Sequence, residues 1–165
     1  MSKSVSKPRR KPAETPENRY DGHLCAGHLL VWTWRKLVAG EVECPLLAKE
    51  YMAFAGGRGL ELLEAFGVFL QALGAGSRRL LAVGQPRCAG ITGDEAQMLR
   101  LIAAAQAEDG ELLAAHLAWL VRGQHRDTVE RSARYLAATL LECGVVLPPA
   151  TAVPPPSGAR LDVLH

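Results

Sequence analysis

With 165 residues, 48% of them hydrophobic but only 5% aromatic, the chain has the length of one domain and must build its core mainly from Leu, Ala and Val. The formal charge of +2 is unevenly spread. Residues 1–20 hold six basic groups against Glu14 and Glu17, a net +4, and the other thirteen basic and fifteen acidic residues give −2. The folded part therefore has no domain-wide basic field for nucleic acid. No uninterrupted apolar run reaches the roughly 18 residues of a membrane span, and the charged N-terminus lacks an apolar stretch behind it, so no secretory signal is expected.

Residues 1–19 are mostly Lys, Arg, Pro, Ser and Glu and read as a disordered basic tail. Asp21 is the expected cap of a first helix over about 22–39, ended by Gly40. Leu24, Gly27, Leu30, Val31, Trp34, Leu37 and Val38 share one side of it, with Cys25, Trp32 and Lys36 opposite; His28, Arg35 and Lys36 interrupt its apolar run. Pro45 suits the first turn of a second helix to about Ala55, with Leu47, Tyr51 and Phe54 as its buried line. A third helix over about 59–73 carries a broad apolar face of Leu62, Leu63, Phe66, Phe69, Leu70 and Leu73. Gly67 within it is expected to mark the close approach of a neighbouring backbone, since a helical glycine costs about 1 kcal/mol.

Gly74–Gly90 is rich in glycine, and only Leu80–Val83 could form a strand. Leu80, Leu81 and Val83 predict that this connection packs against the helices. Thr92-Gly93-Asp94-Glu95 then has the form of a capping box. Met98, Leu99, Ile102 and Ala105 follow at helical spacing, and Asp109 caps a second run of Leu113, His116, Leu117, Leu120 and Val121 that Gly123 should stop. The short turn at Glu108-Asp109-Gly110 makes these two helices an antiparallel hairpin. A last helix from Asp127 places Val129, Ala133, Leu136, Leu140 and Cys143 inward, with Asp127–Arg131 and Glu130–Arg134 as outer pairs and Gly144 as terminator. Five prolines after Val145 favour an extended tail.

The prediction is an all-α fold: one helical domain of five or six helices over residues 20–146, with a central antiparallel helical hairpin and disordered tails at 1–19 and 147–165. Chemistry is sparse. His23, Cys25 and His28 do not share a helix face, and no fourth ligand stands at zinc spacing, so no metal is expected. Cys88 follows Arg87 without a histidine near it in sequence, no G-x-S-x-G occurs, and the carboxylates sit in caps or exposed pairs. No catalytic residue or cofactor is therefore expected. His116, on an apolar face, reads as a satisfied core histidine. The hairpin's second helix opens with Glu111, Leu112 and Leu113, where a DNA reader needs donors, so nucleic acid is not expected there.

Two binding features remain. Trp32, with Lys36 beside it and Leu29 close by, has the make-up of an interaction hot spot if it faces out; the alternative is a first helix buried on two sides. Arg78, Arg79 and Arg87 flank the glycine-rich connection and could hold an anion or an acidic partner segment; the bland alternative is a solvated connector. The four cysteines (Cys25, Cys44, Cys88, Cys143) show no metal-knuckle spacing, and a cytoplasmic protein with reduced thiols is the default. Arginine outnumbers lysine, and Ala, Gly and Pro are plentiful, which suggests a GC-rich bacterial genome. The expected function is a non-enzymatic interaction protein or regulatory adaptor that binds a protein partner or forms a homo-oligomer, without a membrane. The alternative is a ligand- or nucleic-acid-binding regulator that uses the basic N-terminal tail.

Overall fold

A computed structural model describes residues 18–149. The fold is all-α. Six helices follow one another in these residues: α1 (Asn18–Val38), α2 (Pro45–Ala55), α3 (Gly59–Gly76), α4 (Gly93–Gln106), α5 (Gly110–Leu120) and α6 (Arg126–Glu142). Most of the two tails and the side chains of His23 and Cys25 lie outside the described residues. Asp21 stands inside α1 rather than at its cap, because the helix begins by Asn18.

The last helix is the hub. Val129, Ser132, Ala133, Leu136, Ala137 and Leu140 of α6 are buried at three- and four-residue steps, a stripe wide enough to pack on α3, α4 and α5. Its small residues let neighbouring helices come close. The hydroxyl of Ser132 donates to its own helix, to the Val129 carbonyl at 2.8 Å. Leu62, Phe66, Phe69 and Leu73 of α3 fill the space between α2 and α6, with the two phenyl rings 6.4 Å apart. By length and composition the stretch Pro45–Gly76 could cross a membrane. Here it is broken at Gly56–Arg58, and α2 and α3 pack on each other.

The close backbone approach expected at Gly67 lies elsewhere. A Cβ at Gly67 would meet nothing within 4 Å, whereas one at Gly59 would sit 2.3 Å from the Tyr51 carbonyl oxygen. Gly59 therefore sets the tight α2–α3 corner. Gly76 is similarly crowded by His125 and Val121 at the other end of α3. There Ser77 and Val121 form an isolated antiparallel bridge, with the Arg78 amide donating to Leu120 O and the Arg122 amide to Gly76 O, both at 2.9 Å. This extended pairing ends α5 at Leu120, before Gly123 is reached. At the far end the packed region takes in Leu147, which is buried and whose amide donates to Gln106 Oε1 at 2.8 Å.

The two glycines make opposite predictions. Gly67→Ala should leave stability unchanged or raise it by up to about 1 kcal/mol, because only helix propensity changes. Gly59→Ala should lower the melting temperature sharply, since the clash is with backbone. Urea titrations of both variants check this, and equal behaviour would contradict the assigned corner.

Candidate functional site

Two places gather side chains with chemistry. The first is an ion cluster where α1 crosses the start of α4. Thr92 caps α4 as expected: its hydroxyl accepts the Glu95 amide at 3.1 Å, and the Thr92 amide donates to Glu95 Oε2 at 2.7 Å. The carboxylate does more than cap. Glu95 is fully buried and receives Arg35 in a two-point pair, Nε to Oε1 and Nη2 to Oε2, both at 2.7 Å. The Gly84 amide donates to Oε1 at 2.9 Å. Arg35 directs its remaining donors at the connection, to Gln85 O (3.3 Å), Cys88 O (2.7 Å) and Gly90 O (2.5 Å). All five guanidinium N–H groups are thereby used.

Burial pushes the pKa of Glu95 up, but Arg35 and the amides of Thr92 and Gly84 outweigh it and hold the group below its ordinary value. Beside it the Asp94 carboxyl is also held low, chiefly by Arg79, against burial and with help from the Ala82 amide. Arg79 meets Asp94 in a second two-point pair at 2.7 and 2.6 Å. This cluster is closed: its donors and acceptors satisfy one another, leaving no open position for a ligand.

The arginines of the connection are placed accordingly. Arg79 is engaged with Asp94, and Arg78 Nε donates to the Val121 carbonyl at 3.1 Å. Arg87 is exposed and makes no hydrogen bond or ion pair among the described residues. Arg79 thus ties the connection to α4 and Arg78 spends one donor on the Val121 carbonyl, while both side chains remain exposed. The connection is packed, as Leu81 and Val83 required, but Leu80 is 95% exposed and no strand forms there.

The second place is open. His28, Leu29 and Trp32 of α1 face Leu46, Glu50, Ala53 and Phe54 of α2 across a groove of about 530 Å³. Each set falls on one face of its helix. The register of the two helices is fixed behind the groove, where the buried Tyr51 hydroxyl donates to Thr33 Oγ1 at 3.1 Å. Burial pushes this phenol's pKa up, so it stays neutral. Trp32 is half-buried and lines the groove. Lys36 Nζ stands 5.7 Å from the ring centroid and pairs with Glu41 at 2.5 Å. The pairing of Trp32 with Lys36 was legible in the sequence; the facing wall from α2 was not, because it depends on how two helices meet.

No three His, Cys, Asp or Glu side chains converge on a metal position among the described residues. His116 is half-buried, and its Nε2 is buried without a partner, so it is not the satisfied core histidine that its sequence position suggested. Burial and the nearby charge of Arg100 lower its pKa. Compared with known proteins, the chain matches no family model, no curated protein and no solved structure.

The ion cluster predicts an acid limb of instability. Both carboxylates have folded pKa values below their unfolded ones, so their contribution is complete at neutral pH and is lost as pH falls through the folded values. Denaturant titrations from neutral pH downward should show this loss, and a shallower one in Glu95→Gln. Arg35→Ala, which strands a buried carboxylate, should cost about 3–5 kcal/mol at neutral pH. Loss of less than about 1 kcal/mol would mean that the pair does not hold α1.

Proposed function

We propose that this protein is a non-enzymatic interaction protein, an adaptor or regulator, that receives a helix of another protein in the α1–α2 groove. The observation that carries the reading is the groove itself. Leu29, Trp32, Leu46, Ala53 and Phe54 make an apolar wall, and Leu46 remains 44% exposed. A small protein gains nothing for its own stability by leaving such a surface wet. Open channels between two helices are filled by the apolar face of a third, with anchors at i, i+3 or i+4 and i+7.

The polar groups narrow the partner. Among the described residues, Glu50 is the one carboxylate lining the groove and His28 the one imidazole. An amphipathic helix with two or three large apolar anchors and one flanking Lys or Arg facing Glu50 is complementary to this lining. Trp32 supplies the central contact, as aromatic anchors do at many interfaces. On this reading the protein works in the cytoplasm, and its chemistry is recognition, not turnover.

A photo-crosslinking residue at Leu46, introduced in the native host, tests the proposal. Adducts should map to helical segments of one partner with the stated pattern, and a crosslinker at Arg134 on the outer face of α6 should not capture them. Trp32→Ala should reduce adduct yield and weaken the association by about 2 kcal/mol or more, with the helical circular dichroism retained. Identical adducts from both positions, or none from Leu46, would remove the groove as the docking site.

A further inference from the structure

Two guanidinium groups converge where the connection leaves α3 and α6 begins. The carbonyl of Val121 receives both of them, Arg78 Nε at 3.1 Å and Arg126 Nε at 3.5 Å. The two Nε atoms are therefore closer together than those two contacts laid end to end. Crowding at Gly76, where His125 and Val121 leave room only for hydrogen, brings the connection and the start of α6 to the same place.

This is a poor position for two cations. Arg126 is the first residue of α6, and a helix presents partial positive charge at that end. The N-cap residue His125 makes no side-chain cap hydrogen bond there. Neither arginine has a counter-ion among the described residues, where the basic groups in ion pairs are Arg35, Lys36, Arg58, Arg79 and Arg134. Asp127, the carboxylate of the same helical turn, is exposed and pairs with neither. Asp94 is already taken by Arg79 and the Ala82 amide.

What is left unused defines the ligand. A guanidinium carries five N–H donors, and each of these two uses only Nε among the described residues. The terminal nitrogens of both are thus without partners, while the Nε contacts tether both groups to one carbonyl. Arg78 is exposed and Arg126 half-buried, so a ligand can reach them. A carboxylate brings one negative charge and two oxygens, enough for one terminal fork. A phosphate monoester brings a charge of about −1.5 to −2 and three acceptor oxygens, enough to bridge two.

We propose that Arg78 and Arg126 form a binding site for a phosphate monoester at the start of α6. The site uses no residue of the α1–α2 groove and is independent of what that groove binds.

Arginine side-chain NMR on the isotope-labelled full chain tests this. Inorganic phosphate and phenyl phosphate should move the Nε–H resonances of Arg78 and Arg126 together and to saturation. Acetate and dimethyl phosphate, each singly charged, should bind at least about tenfold more weakly at equal ionic strength. Arg78→Lys and Arg126→Lys keep the charge but lose the fork, and each should weaken phosphate binding by about tenfold. Arg87→Gln removes one charge from the same connection and should change the affinity by less than about twofold. The parent's own resonances give the first readout without any substitution. Absence of a saturable shift in the parent would overturn the proposal. So would acetate or dimethyl phosphate binding as tightly as phosphate, an affinity indifferent to both lysine exchanges, or an equal loss in Arg87→Gln.

Discussion

A single buried ion pair ties α1 to the connection and to the start of α4. Arg35 and Glu95 lie 60 residues apart, and both are almost wholly removed from water. Such a pair costs much desolvation and is sustained only when every remaining donor and acceptor is used. Here they are. The carboxylate receives both guanidinium contacts and two backbone amides, and the guanidinium reaches three carbonyls of the connection. One residue pair thus joins α1, the 77–92 connection and the capping box of α4. Glu95 serves both as helix cap and as counter-ion, so the start of α4 and the seating of α1 depend on the same carboxylate.

That dual role explains which parts of the fold were legible in the sequence. Local grammar was readable. The Thr92 capping box, the Asp109 cap, Pro45 at a helix start and the core stripes of α3 and α6 all depend on residues within a turn or two of one another, and all are present. Long-range choices were not. In the α1 sequence Arg35 looks like an interruption of an apolar face, and only the arrival of Glu95 makes it a core residue. Val38, on the same expected face, is 63% exposed at the last residue of α1. Gly67 and Gly59 are indistinguishable as letters; the corner between α2 and α3 decides which one must remain glycine.

The same division governs the surfaces. Trp32 and Lys36 could be picked out by composition and helical spacing, yet the groove exists only because Leu46, Glu50 and Phe54 of α2 form its second wall. Trp119 is 64% exposed although it belongs to an apolar helix of the hairpin, because packing buries only the Leu113, Leu117 and Leu120 side of α5. The connection arginines are the converse case. Their sequence context suggested an anion site; the structure adds that Arg79 pairs with Asp94 and that Arg78 Nε meets the Val121 carbonyl. The closed polar cluster pins the connection, while apolar side chains stay exposed at the α1–α2 groove and on α5.

Hydrogen exchange at two backbone amides addresses the central ion cluster most directly. The amides of Gly84 and Thr92 lie in irregular chain, where exchange is ordinarily fast, but both donate to the buried carboxylate of Glu95. In the parent protein at neutral pH they should be protected to nearly the same degree as the core amides of α3 and α6. In Glu95→Gln they should exchange much faster while those core amides remain protected. Rapid exchange of Gly84 and Thr92 in the parent would show that the cluster does not hold the connection, and with it that α1 is seated by something else.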